Sequence, residues 1–136
     1  MHQGRLDTIT LGRQIARMCI CWPTFTFQRQ PGLLAWLGAL RPREEGATYR
    51  VCIIFREQKS PQVRVLDPPL RPDAPHRYYG GFLCLYYPDD GSWHPGKFIA
   101  DTIVPWTAEW LLFYEIWLES SQWWGPESPH QTTVRS

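Results

Sequence analysis

Apolar and polar side chains alternate in four segments of this chain, which is the pattern of half-buried β-strands. Turn-forming sequences separate them: Pro31-Gly32, residues 41–46 and residues 58–61. Short turns of this kind join neighbouring strands, so the pattern predicts a four-stranded antiparallel meander. The predicted strands are Thr24 to Gln28, Leu33 to Leu40, Tyr49 to Arg56 and Gln62 to Leu66.

Helical periodicity flanks this predicted sheet on both sides. Residues Leu6 to Ile20 predict a short N-terminal helix. A second helix is predicted from Asp101 or Thr102, either of which can cap it, with Pro105 in its first turn. Its aromatic stripe predicts a core-facing side, and three glutamates predict the wetter side. The stripe is Trp106, Trp110, Phe113, Tyr114, Trp117 and Leu118, and the glutamates are Glu109, Glu115 and Glu119.

A proline-rich stretch separates the sheet from the second helix. Asp67-Pro68-Pro69 ends the fourth strand, because proline has no N–H for a β-ladder. No long periodic element follows before Gly96, and a long irregular segment inside a compact domain is usually functional. We therefore predict a single α+β domain over residues 1–136, with a core of about 6–125, a tail at 126–136 and a loop-borne site between the sheet and the second helix.

Composition narrows the functional classes. The net charge of +1 arises from mixed acidic and basic residues, so nucleic acid and anionic membranes are not expected as partners. No apolar run is long enough to span a bilayer, and residues 1–11 lack the apolar core of a secretory signal. The expected location is the cytoplasm. No glycine-rich phosphate-binding motif is present, so the chain is not expected to activate a carboxylate with nucleotide itself.

The four cysteines, Cys19, Cys21, Cys52 and Cys84, are expected to be reduced thiols. A zinc site is not expected, because Cys19-x-Cys21 has no second close pair of cysteines or histidines to complete four ligands. We expect no metal and no cofactor. The first three cysteines fall in predicted helix or strand, where a packing role is expected.

Cys84 differs because it lies in the irregular stretch, directly after Gly80-Gly81. A cysteine that carries an acyl group must be partly exposed on a rigid loop, and small residues beside it leave room for an extended partner tail. The competing interpretation is a buried cysteine in a short strand from Phe82 to Tyr86. The residues alone leave both interpretations open.

The order of motifs around Cys84 resembles ubiquitin-conjugating enzymes. His76 is followed by Cys84-Leu85, then by Trp93-His94-Pro95 and an amphipathic helix, and the match covers about residues 63–119. The helix is similar to the bacterial branch found in cyclic-oligonucleotide-based antiphage signalling (CBASS) operons. The similar stretches there are residues 100–106, Glu109-Trp110-Leu111 and residues 114–117. The resemblance implies the ubiquitin-conjugating fold.

The resemblance also implies roles for individual residues. Cys84 would form a thioester, and His76 would organise the loop or handle a proton, with a solvated loop histidine as the alternative. The family's His-Pro-Asn motif reads His76-Arg77-Tyr78 here, so another donor must meet the developing oxyanion. Candidates are N–H groups near Cys84, the Tyr78 and Tyr79 hydroxyls and the His76 imidazole. Trp93 is expected to pack beneath the loop, and the residues expected to contact the partner are Tyr78, Tyr79, Gly80, Gly81 and Trp93.

Other side chains near this region have open roles. His94 and the pair Asp89-Asp90 would either deprotonate an incoming lysine or form a solvated turn. Trp123-Trp124 would either cover the core or dock a partner.

The implied partner is the cyclic-nucleotide synthase of the antiphage system, whose C-terminus would be carried on Cys84 and passed to an amine. The activated donor would come either from a separate ubiquitin-activating-like enzyme or from an unusual mechanism. Two alternatives remain at this level. One is an inactive module that grips the partner's C-terminal tail, and the other is a cysteine hydrolase that removes such conjugates.

Overall fold

The computed structural model describes residues 8–56, 59–78, 80–86 and 91–126. Its elements follow one another along the chain as helix, four strands and helix, which confirms the predicted α+β fold. They are α1 (Leu11–Cys21), β1 (Thr26–Gln30), β2 (Leu33–Leu40), β3 (Tyr49–Arg56), β4 (Gln62–Asp67) and α2 (Ile103–Ser120). A short 3₁₀ turn, Ile99–Asp101, leads into α2.

The four strands form one antiparallel sheet in chain order, as the meander prediction required. Trp36 pairs with Ile53, and Ile53 pairs with Val63, so these apolar side chains share one face of the sheet. Their side chains are at most 1% exposed. The core lies between this face and α2, because alternation places every second side chain on the same side of a strand.

α1 docks against the segment that precedes α2. It begins at Leu11 and not at Leu6, because Thr10 caps it by accepting a hydrogen bond from the Arg13 N–H at 3.2 Å. Leu6 itself lies outside the described residues. Gln14 is fully buried; its amide nitrogen donates to the Lys97 carbonyl at 3.0 Å, and its oxygen accepts from the Ile99 N–H at 2.9 Å. One glutamine thus fixes the chain that enters α2.

β1 starts two residues later than predicted. A turn after α1, closed by the Phe25 N–H donating to the Trp22 carbonyl at 3.0 Å, occupies the first predicted strand positions. Phe25 still packs inward, where its ring lies over Gly38 and occupies the space that a side chain at Gly38 would need. The edge strand itself is exposed throughout.

One glutamate of α2 contradicts the predicted wet side of that helix. Glu115 is only 4% exposed, whereas Leu118, placed on the core stripe, is 40% exposed. The Glu115 carboxylate accepts hydrogen bonds from Arg43 Nε at 2.7 Å, from the Tyr49 hydroxyl at 2.8 Å and from the Ala47 N–H at 3.1 Å. Three donors compensate the buried charge. We call this group the glutamate clamp (Glu115, Arg43, Ala47 and Tyr49); it fastens the β2–β3 loop to α2.

Candidate functional site

Residues 76–78 and 80–84 form a tight hairpin outside the helices and strands, which we call the cysteine hairpin. The Cys84 N–H donates to the His76 carbonyl at 3.0 Å, and the Tyr78 N–H donates to the Phe82 carbonyl at 2.7 Å. Arg77 and Leu83 form an isolated antiparallel bridge between these bonds. The short strand expected from Phe82 to Tyr86 is therefore not formed, since the described arm has only this one bridge, but the burial that this alternative expected for Cys84 is observed.

Gly80 and Gly81 turn the hairpin. Their φ angles are +96° and +91°, in the region that glycine adopts without steric cost. A Cβ on Gly81 would meet no atom within 4 Å, so the space beside the turn is open. Glycine is needed at this turn for its backbone conformation, and the open space agrees with the room expected for a partner tail.

The hairpin is anchored to β4 on one side. The Leu83 N–H donates to the Val63 carbonyl at 2.9 Å. Arg64 reaches the turn, where its Nη2 donates to the Gly80 carbonyl at 3.1 Å and its guanidinium lies 4.4 Å from the centre of the Phe82 ring. Sequence reasoning did not select Arg64, because a polar side chain at an alternating strand position normally indicates only a solvent-facing site.

On its other side, the hairpin is held by a side chain of α2 that binds the hairpin backbone. The Trp110 indole N–H donates to the His76 carbonyl at 3.1 Å, and this carbonyl also accepts from Cys84. His76 itself has a φ of +61°, a left-handed conformation that is uncommon without glycine. The backbone at His76 is thus fixed by the helix and by the arm that carries the cysteine.

The His76 side chain is buried, with 1% of its surface exposed, so the solvated-loop alternative is wrong. Its ring centre lies 4.7 Å from that of Trp123, and Trp123 lies 5.4 Å from Trp110. The chain after α2 therefore folds back over the histidine. Of the two tryptophans flagged in the sequence, Trp123 covers this region, whereas Trp124 is 65% exposed.

Cys84 is 8% exposed, less than the partly exposed thiol expected for an acyl carrier. The other cysteines lie where the sequence placed them, in α1 and β3. Cys19 and Cys21 are exposed, and Cys52 is half-buried, so burial raises the pKa of the Cys52 thiol. Of the four thiols, Cys84 alone lies in the irregular, glycine-turned segment.

Several proposed oxyanion donors already have acceptors in this conformation. The N–H groups of Leu83 and Cys84 donate to Val63 and His76, and the Tyr78 hydroxyl donates to the Tyr86 carbonyl at 3.3 Å. Tyr79, also expected at the site, lies outside the described residues. Stabilisation of an oxyanion by the Leu83 or Cys84 N–H would require the hairpin to open.

Trp93 packs in the core and exposes 5% of its surface. Its indole N–H donates to the Thr102 hydroxyl at 3.1 Å, and its ring lies edge-on to Phe55 at 5.8 Å. This is the expected packing role, and it leaves little of the indole for the partner contact that we also expected. His94 is half-buried, and its Nδ1 accepts from the Gly96 N–H at 3.1 Å, which closes a turn. Asp89 and Asp90 lie outside the described residues.

Among the described residues, no group of three or more His, Cys, Asp or Glu side chains is placed to hold a metal ion. No described helix is long and apolar enough to cross a membrane.

The order of N-terminal helix, four-stranded meander, cysteine hairpin and helix is consistent with the ubiquitin-conjugating (E2) fold. The family model for the type II CBASS E2 protein matches residues 14–131. The chain therefore belongs to this E2 family of the CBASS defence systems. Comparison with curated proteins gives no match.

Proposed function

We propose that this E2 protein carries the C-terminus of a partner as a thioester on Cys84 and transfers it to an amine. The observation that carries the proposal is the placement of Cys84 in a hairpin fixed to both β4 and α2, next to an open glycine turn. A rigid support of this kind holds a nucleophile in position, and the open turn admits an extended chain.

The first step is an acyl exchange. The partner's C-terminus arrives as a thioester on a cysteine of a separate enzyme. The Cys84 thiolate attacks the carbonyl carbon of this thioester, and the cysteine of the separate enzyme leaves as a thiolate and takes up a proton. A primary amine then attacks the Cys84 thioester, loses its proton, and the Cys84 thiolate leaves as an amide forms. Cysteine suits both steps because its thiolate is a good nucleophile and a good leaving group.

His76 supports this chemistry from the arm of the hairpin opposite Cys84. Its carbonyl binds the Cys84 N–H directly, so its backbone positions the nucleophile. In our proposal, its imidazole also takes part in proton handling or oxyanion support, once the cover of Trp123 shifts. The partner is the cyclic-nucleotide synthase of the same defence system, and its C-terminal tail is the acyl donor.

One observation favours a second function, a binding module without chemistry. Cys84 is 8% exposed, and the backbone donors beside it are engaged. A protein that only grips the partner's tail needs neither an accessible thiol nor an oxyanion site. In this alternative, the hairpin and its glycine turn serve recognition alone.

Co-expression of the complete operon separates the two functions. We expect the purified chain to carry an adduct with the synthase tail that thiols cleave, visible by intact mass spectrometry. Cys84→Ala should abolish the adduct, whereas Cys19→Ala, which alters an exposed thiol on α1, should leave it unchanged. Equal adduct yields in wild type and Cys84→Ala would refute the carrier function. Tail binding that persists with no adduct in any variant would establish the binding module.

A further inference from the structure

A cleft of about 430 Å³ opens between the β3–β4 turn and the arm of the cysteine hairpin. Its volume lies in the range that holds drug-sized ligands or a few residues of an extended peptide. Leu83 and Leu85, the two neighbours of Cys84 in the chain, both line it. A chain bound here would therefore lie beside the nucleophile's own segment. We call this cleft the basic cleft, after its lining cations Arg56 and Lys59.

Hydrogen bonds and ring contacts fix the walls of the basic cleft. The Tyr86 hydroxyl donates to the Pro61 carbonyl at 3.4 Å, which joins the hairpin arm to the β3–β4 turn. Tyr86 also packs against Trp106 of α2, with ring centres 5.6 Å apart. Phe82 is held by the guanidinium of Arg64. Because these contacts exist without a ligand, the cleft is preformed, and binding would cost little ordering of its walls.

The charge of the lining selects the kind of peptide. Arg56 and Lys59 stand at one side of the cleft, and the described residues that line it include no acidic side chain. Arg56 is oriented by Gln62, whose side-chain oxygen accepts from its Nη1 at 3.2 Å. The opposite side presents Phe82, Leu85 and Tyr86. Two cations repel an incoming lysine and attract a carboxylate, so this side suits the donor and not the amine acceptor.

We propose that the basic cleft is the recognition subsite for the donor tail and selects an acidic residue a few positions before the tail's end. The carboxylate of that acidic residue pairs with Lys59 and Arg56. An apolar residue next to it in the tail packs against Phe82, Leu85 and Tyr86. The terminal residue then extends past Leu83 toward Cys84. This inference rests on the proposed tail recognition, and it names the chemistry of the tail.

The test measures peptide binding apart from catalysis, with full-length Cys84→Ala protein. Fluorescein-labelled octapeptides ending in glycine carry leucine near the end, preceded by glutamate, glutamine or lysine. Fluorescence anisotropy should show the glutamate peptide binding about tenfold more tightly than the lysine peptide, with the difference shrinking in high salt. Equal affinities for the three peptides would overturn the inference.

Charge reversal in the basic cleft tests whether the preference for the glutamate peptide arises there. Lys59→Glu should abolish or invert the preference for glutamate, whereas Arg41→Glu, an exposed site in the β2–β3 loop, should leave it intact. Identical behaviour of the two variants would show that net charge, and not the cleft, governs binding. Because Cys84 is absent, a charge preference that Lys59→Glu removes would stand even if no thioester forms. Thioester formation without any charge preference would refute the cleft alone.

Discussion

The cysteine hairpin and the glutamate clamp are both loops fastened to α2, but by different chemistry. The clamp places a buried carboxylate among three donors, one of them the cation of Arg43. Among the described contacts of the hairpin with the helix is a neutral hydrogen bond, from the Trp110 indole to the His76 carbonyl, and Trp123, which follows α2, packs on the His76 ring. Charge-assisted bonds are about twice as strong as neutral ones. The clamp is therefore the stronger fastening.

The two loops in contact with α2 are therefore expected to serve different ends, the clamp stability and the hairpin function. A buried charge must keep all its partners, so the clamp resists opening. A loop held to a helix by neutral contacts separates from it at lower cost, and in the proposed function Cys84 must gain exposure before a protein-sized donor reaches it. Substitutions at the clamp should therefore change the free energy of unfolding, whereas substitutions at the hairpin should change transfer.

The largest effect is expected at the clamp. Glu115→Ala leaves the Tyr49 hydroxyl and the Ala47 N–H without their acceptor, and should lower the free energy of unfolding by about 3–5 kcal/mol. Urea denaturation measures this loss. Glu119→Ala is the matched control: its side chain is 65% exposed, so the loss should stay below about 1 kcal/mol. The transfer rate per folded molecule should be unchanged in both variants, and similar losses of stability in Glu115→Ala and Glu119→Ala would contradict the role assigned to the buried carboxylate.

His76→Asn should produce the opposite pattern. Asparagine tolerates the left-handed backbone at this position, so the hairpin keeps its course while the imidazole is lost. We expect transfer to slow by about 10²-fold, with a much smaller change in stability. Single-turnover discharge of the Cys84 thioester to an amine measures the rate. His94→Asn tests specificity, since it alters a half-buried turn histidine outside the hairpin. A rate within a few-fold of wild type would restrict His76 to a backbone role.

Trp110→Phe tests the neutral fastening itself. The ring remains in the core, but the indole N–H that binds the His76 carbonyl is removed, at a cost of about 1 kcal/mol. The Cys84 amide, which shares that carbonyl, should exchange its hydrogen faster, as measured by mass spectrometry. Trp117→Phe, farther along the same helix, should not alter this exchange. Unchanged exchange in Trp110→Phe would show that the helix does not hold the hairpin.

The smallest effect is expected from the exposed ion pair of Arg71 and Asp73. Arg71 donates to Asp73 at 2.7 Å, and this hydrogen bond lowers the pKa of the Asp73 carboxyl. A lowered pKa stabilises the fold above the unfolded-state pKa of about 4, and the benefit is lost as pH falls through the folded-state value. Asp73→Asn should therefore cause a slight loss at pH 7 and none near pH 2, measured by thermal unfolding. A loss as large as that of Glu115→Ala would contradict the role assigned to burial.

Alternation and turn chemistry alone determined most of the fold. β2 and β3 begin and end where their patterns predict, since every second side chain must reach the core. The irregular stretch and its cysteine were also evident, because prolines stop a β-ladder wherever they occur. The order His76, Cys84-Leu85, Trp93-His94-Pro95, together with the helix stretches at 100–106, 109–111 and 114–117, indicated the family, which the match over residues 14–131 confirmed.

Tertiary structure decided the environment of each side chain. Glu115 was predicted to be wet because it is charged, but Arg43, 72 residues away, makes its burial possible. The sequence left His76 as either a site residue or a solvated loop histidine, and the contact with Trp123, which follows α2, buries it. Arg64 gained a role only when the hairpin was laid beside β4. Local sequence carries propensity and period, whereas burial and pairing depend on residues far apart in the chain, which the fold alone brings together.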